Sequence, residues 1–212
     1  MITIYAVPIS LYCAKLRIVL RHKNLTWREE MPPGGYGSED YKRIVPSGNL
    51  PALVDGKLTI ADSEAIAEYL EEQHPHPAML PLNVLERAKV RERGRFHDTR
   101  LEPEVRALFP FLPGRETSTQ EILHRQSHAI SSRLQQLSEI LDEAFRPEYI
   151  LTLADSGLPI TFAWLDSLIP LMGLRILWPK SVIAYRNWLE QQPAVNDELT
   201  EYTPILTAFL EV

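Results

Sequence analysis

Apolar and polar residues alternate along Ile2-Thr3-Ile4-Tyr5-Ala6-Val7, the period of a half-buried strand. The period then lengthens. Leu11 to Arg21 carries an apolar stripe at Leu16, Val19 and Leu20, which predicts a helix. Residues 26–30 predict a second strand, and Pro32-Pro33-Gly34-Gly35-Tyr36-Gly37 a loop. Ser38 is placed to cap a short helix that runs to Ile44. Ala52–Val54 and Leu58–Ile60 flank Asp55-Gly56, a dipeptide typical of hairpin turns. Ser63 to Gln73 returns to helical spacing, with Ile66, Tyr69 and Leu70 on one face.

His74-Pro75-His76-Pro77 breaks this pattern, and no convincing strand follows it. Leu85–Val105 and Gln120–Phe145 are long and helix-periodic, and shorter helices are predicted over 161–172, 180–191 and 203–211. The order β-α-β-α-β-β-α followed by helices predicts an α/β domain over residues 1–78, a linker over 79–83 and an all-helical domain over 84–212.

Composition narrows the function. The net charge is -6, which disfavours a general nucleic-acid-binding role because phosphate contacts need a basic face. No apolar run approaches the roughly 20 residues that span a bilayer, so no membrane role is expected. The start of the chain lacks the basic and apolar regions of a signal peptide, and Cys13 is the only cysteine. Both features predict a reducing, cytoplasmic setting. No metal is expected, since His74 and His76 sit among prolines with no other ligand nearby in sequence.

The segment from Gly48 to Ile66 carries the candidate chemistry. Leu50 before Pro51 offers a backbone edge, and Asp62-Ser63 opens a helix close by. An edge can pair with a peptide main chain, and a helix N-terminus can hold an anion, so the pair suits a small acidic peptide.

These residues give the chain a resemblance to the soluble glutathione transferase family, of bacterial-like type and closest to the serine- and cysteine-type (zeta- or theta-like) classes. Ser10-Leu11-Tyr12-Cys13-Ala14-Lys15-Leu16-Arg17 is similar to that family's strand-to-helix segment. Leu50-Pro51 resembles its cis-proline loop, and Asp62-Ser63 with Ala65-Ile66 resembles the pair that opens its third helix. The resemblance implies a thioredoxin-like N-terminal domain, an all-helical second domain, glutathione as co-substrate, and a homodimer active in detoxification.

It also implies site roles. A free thiol has a pKa near ~8.5, and lowering it by about two units corresponds to roughly 2.7 kcal/mol of thiolate stabilisation. Ser10, at a helix start, is the candidate hydroxyl for that task, although a plain N-cap explains the same residue. Cys13 is the alternative, through a mixed disulfide, against a buried structural role. Tyr5 is read as sheet packing, because the family's tyrosine position aligns with Ala6. Asn49, Leu50, Pro51, Asp62 and Ser63 would bind the tripeptide. The electrophile pocket would draw on Ile9, Tyr12, Phe96, His97, Arg100 and Trp164.

The chain also departs from the family pattern. The usual cation for the glycyl carboxylate is missing before Pro51, which leaves Asn49, Lys42 or Arg43. The family's Ser/Thr-x-x-Asp capping box falls on Thr161-Phe162-Ala163-Trp164, which lacks the acid, and Asp166 follows two residues later. Two enzymatic rivals use the same site: isomerisation of a maleylacetoacetate-type diacid, which directs attention to Arg17 and Arg100, and thiol–disulfide reduction through Cys13. A non-enzymatic adaptor on the same fold is the third alternative.

Overall fold

The computed structural model describes residues 1–144 and 150–211. Four short strands form one mixed sheet: β1 (Ile2–Tyr5), β2 (Trp27–Glu30), β3 (Ala52–Asp55) and β4 (Leu58–Ala61). Their order is β2-β1-β3-β4, with β1 parallel to β2 and antiparallel to β3. Three helices accompany them: α1 (Leu11–His22), α2 (Glu39–Lys42) and α3 (Ser63–Gln73). β1 ends at Tyr5, two residues short of the alternation, because Val7 already accepts a hydrogen bond from the Ser10 amide in the turn that feeds α1. The hairpin turn is Gly56-Lys57, one residue later than expected; Asp55 pairs with Leu58, and Gly56 supplies a φ of 58° that favours glycine.

Alternation decides what each sheet face covers. Ile2, Ile4 and Leu53 join the main core with α1 and α3. Tyr5 and Ala52 point the other way, onto Tyr41 of α2, with the Tyr5 and Tyr41 rings 5.5 Å apart edge to face. Packing is therefore the whole role of Tyr5 seen here. Ser38 caps α2 by accepting from the Tyr41 amide at 3.1 Å.

The second half is helical: α4 (Val84–Phe96), α5 (Glu102–Arg106), α6 (Gln120–Ala144), α7 (Leu158–Met172), α8 (Lys180–Glu190) and α9 (Pro193–Leu210). Phe145, the expected end of the long helix, lies outside the described residues. The single helix expected over 85–105 is interrupted by a π turn at His97–Leu101. The last helix begins ten residues before the expected 203, because Pro193 takes the first helical turn, where its missing amide is not needed.

The capping box also sits elsewhere. Thr152 and Asp155 satisfy each other, and Asp155 further accepts from Arg93 at 2.8 Å and from the Tyr185 hydroxyl. Thr161 instead bonds His97 at 2.8 Å, and Asp166 faces Arg186. The start of α7 passes so close to His97 that a Cβ on Gly157 would lie 2.4 Å from its ring, so only glycine fits.

Helix α1 joins the halves. It packs against α3, α7 and α9, and even its Lys15 and Arg17 are buried. Arg17 is held by Glu29 at 2.7 Å and by Glu198 at 3.3 Å, and Arg21 by Glu198 at 3.1 Å. Burial lifts the Glu198 carboxyl to about 7 despite both arginines.

Candidate active site

A cavity of about 830 Å³ opens between the sheet domain and the helices. On the sheet side it meets Ser10, Asn49, Leu50, Asp62 and Ser63, together with Tyr36 and Ser47. Each arrives there for a local reason. The turn after β1 ends in Ser10, whose extended backbone (ψ 121°) and side chain cap α1 by accepting from the Cys13 amide at 3.3 Å. That acceptor role does not use the hydroxyl's own hydrogen. The Leu50–Pro51 peptide is cis, and Pro51 leads directly into β3. Asn49 is fixed from behind by the Tyr41 hydroxyl, which donates to its carbonyl at 2.9 Å.

Asp62 caps α3 from a φ of 84°, unusual for a residue with a side chain; its Oδ1 accepts from the Glu64 and Ala65 amides at 3.0 and 3.1 Å. Ser63 follows, nearly buried, at the first position of the helix. Two helix N-termini thus border one cleft, and each adds partial positive charge.

Beneath this side lies Lys15, 2% exposed, bound to Glu64 at 2.7 Å and to Asp98 at 2.8 Å. Burial opposes charge on both Lys15 and Asp98. The pairing outweighs it: the Lys15 ammonium is held above its usual range, while hydrogen bonding by His97 and the charge on Lys15 keep Asp98 at about 2.

The helical side of the cavity differs from the expected set. Ile9, Tyr12 and Trp164 line it, but Phe96, His97 and Arg100 do not. Val90, His97, Leu101 and Val105 form the buried stripe of this helical run, so His97 points inward to Asp98 and Thr161, and Arg100 faces solvent. The cavity instead takes the neighbouring stripe: Arg95, Asp98, Thr99 and Arg106. Apolar spacing marks the core stripe in the sequence, and a rotation by one residue would have found the cavity stripe. Phe109 and Phe209 complete the wall, and no local signal marks Phe209, which comes from the far end of the chain.

Four further candidates are engaged elsewhere. Cys13 is fully buried, and burial pushes its thiol up, with the Ser10 hydrogen bond only partly opposing this. Arg17 is committed to Glu29 and Glu198 in the α1–α9 contact, which removes it from any role in binding a diacid. Lys42 and Arg43 pair with Glu39 and Asp40 on the surface. Among the described residues no cluster of His, Cys, Asp and Glu is arranged to hold a metal, and no helix is long and apolar enough to cross a membrane.

A thioredoxin-like sheet and a helical half share this cleft, which is bordered by Leu50 and by two helix N-termini. Residues 4–78 match the family model described as glutathione S-transferase, N-terminal domain. The chain is 34% identical over 108 residues to a stringent starvation protein A homolog of Coxiella burnetii, an alignment covering 48% of this chain and 52% of that protein. It is 43% identical over 81 residues to glutathione S-transferase Z1 of Arabidopsis thaliana, covering 36% of each. These matches span about half or less of the curated relatives' length. The Tau class glutathione S-transferase MiGSTU from mango, Mangifera indica, superposes with a TM-score of 0.83 over 99% of this chain and 97% of that one, at 19% identity. Residues 4–78 thus form a glutathione S-transferase N-terminal domain, the whole chain shares the fold of solved glutathione S-transferases, and zeta-class members are among its relatives.

Proposed function

We propose that the protein is a glutathione transferase that joins the glutathione sulfur to a small hydrophobic electrophile. The observation that carries this reading is the meeting of Ser10, Leu50, Asp62 and Ser63 on one cavity wall, opposite an aromatic wall. In this reading Leu50 pairs with the tripeptide main chain beside the cis Pro51. The Ser63 amide and hydroxyl at the start of α3 receive the γ-glutamyl carboxylate, and Asp62 faces its ammonium. Asn49 and Ser47 are the polar groups left for the glycyl end.

The Ser10 hydroxyl donates to the sulfur while the first turn of α1 adds a favourable field, so the thiolate persists at neutral pH. The thiolate pair then forms a C–S bond, and the electrophile's leaving group departs with the electrons of the bond that breaks. A division at residues 79–83, cytoplasmic action and a homodimer belong to the same reading. The apolar side chains exposed at the head of α4, Leu82, Val84 and Leu85, suit a partner surface.

The test is glutathione binding by calorimetry, with turnover of an activated aryl chloride, in wild type, Ser10→Ala and Ser10→Asn. Both variants are expected to lose at least about tenfold in kcat/KM, the value of one hydrogen bond to a developing charge. Ser10→Asn restores the helix cap without the hydroxyl, so loss in both separates catalysis from capping. Unchanged turnover would remove Ser10 from the mechanism.

A second reading is a non-enzymatic interaction protein on this fold. The relatives named stringent starvation protein A homolog favour it, since that name denotes no reaction. An absence of glutathione binding would select it. Reduction through Cys13 has the least support, given the burial of that thiol.

A further inference from the structure

The helical wall of the cavity is built around one guanidinium. Arg106 lies 5.4 Å above the centre of the Tyr12 ring and 5.2 Å above that of Phe109. Phe109 stacks on Trp164 at 4.5 Å with 30° between the planes, and Phe209 meets Trp164 edge-on at 6.1 Å. These rings form a continuous flat-walled chamber that ends at a cation.

That cation is held in place. Arg106 Nη2 bonds Oε1 of the nearly buried Glu102 at 2.5 Å, and the Tyr12 hydroxyl donates to Oε2 of the same carboxylate at 2.9 Å. Both Glu102 oxygens are therefore occupied on the protein side, and the guanidinium plane is set between two rings. Yet 46% of the Arg106 side chain remains exposed at the chamber. A surface arginine with no further duty needs neither a buried carboxylate nor two aromatic supports. A fixed, planar, partly open fork is the geometry that recognises a planar anion in two-point fashion. Arg95 on the same wall adds a second cation, whose nearest carboxylate, Asp98, is 4.0 Å away and already bound by Lys15 at 2.8 Å.

We propose that this chamber selects electrophiles combining a flat conjugated ring with a carboxylate, and that Arg106 is the residue that reads the carboxylate. The inference rests on the glutathione reading above and names the class of its second substrate. The ring lies against Phe109 and Trp164, its carboxylate meets Arg106, and its reactive carbon is turned toward the sulfur beside Ser10 and Tyr12. A neutral ring of the same shape gains the stacking but leaves the guanidinium with Glu102 as its single anionic partner, so selection is by charge at nearly constant shape.

Two glutathione thioethers test this: S-(4-carboxybenzyl)glutathione and its benzoate methyl ester. Calorimetry on the full chain is expected to give about tenfold tighter binding of the acid, the scale of a charge-assisted hydrogen-bond pair. Arg106→Met should erase that ratio, and Arg106→Lys, which keeps charge but not the fork, should retain part of it. The wild-type comparison needs no variant and decides the matter if Arg106→Met folds poorly. Equal affinities for acid and ester, or a ratio unchanged in Arg106→Met, overturn the carboxylate inference and leave the glutathione reading standing. If neither thioether binds, the glutathione reading itself fails, and this inference falls with it.

Discussion

Cys13 shows how one residue can be read two ways until its surroundings are known. It lies one turn into α1, close to the helix start, where a thiol can be activated by the helix field. Its side chain is fully buried, however, and burial raises its pKa rather than lowering it. Native protein is therefore expected to resist iodoacetamide at neutral pH and to react fully once unfolded in urea, as read by mass spectrometry. Fast labelling of the folded chain would restore the redox alternative. The sequence places Ser10 and Cys13 three residues apart but does not reveal which of them faces the cleft. That depends on the turn from Val7 to Ser10, which leaves Ser10 on the cavity wall and directs Cys13 into the core.

At the scale of elements, the π turn at His97–Leu101 organises the seam between the halves. Asp98 within it receives Lys15 from α1 and His97 from its own turn. Its carboxyl has a folded pKa of about 2 against an ordinary 3.8. The sign follows from linkage: a depressed carboxyl contributes stability above its unfolded pKa, and the contribution disappears as pH falls through the folded one. About 2 kcal/mol is expected to be lost from this group between about pH 4 and pH 2. Asp98→Asn should cost about 3 kcal/mol near pH 6, because Lys15 is left with one carboxylate in a buried site. That difference should shrink toward acid, as read from urea midpoints at the two pH values. An equal loss at both would show that the charge on Asp98 is not what matters.

Elements also show where legibility stops. Strands, crossover helices and their caps follow from residues within a few positions of one another, as with Ser38 and Tyr41, and these were readable. Thr152 and Asp155 stand three apart, the spacing of a capping box, but the sequence alone does not show that a helical turn begins there and not at Thr161. The helical wall was misread by one residue of rotation, since an apolar stripe shows which face is buried but not which adjacent face meets a cavity. Phe209 and Arg106 reach the same cavity through packing of distant segments, and no local pattern encodes that.

At the scale of the molecule, α1 belongs to both halves at once. Its charged residues reach Glu198, Glu201, Asp98 and Glu64, and its Tyr12 reaches Glu102. A fragment ending at residue 78 would expose this surface and leave Lys15 without Asp98 and Arg17 without Glu198. Such a fragment is expected to lack a cooperative thermal transition by circular dichroism, while the full chain melts in one step. A well-folded fragment would show that the helical half contributes less to α1 than its contacts imply. The hydrogen-bond chain from Trp164 Nε1 to the Tyr202 hydroxyl, and on to the Ile9 carbonyl, ties the cavity wall to the turn before Ser10 by the same long-range logic.

Of the chain's four tryptophans, Trp164 alone lines the cavity, stacked on Phe109 and bonded to Tyr202. The molecule therefore carries its own optical gauge. An occupant that displaces water from the indole face should shift or quench that emission, while Trp27, Trp178 and Trp188 supply a steady background. Trp164→Phe keeps a ring in the wall and removes the gauge, so a ligand-dependent change in light that survives this substitution would have to originate elsewhere.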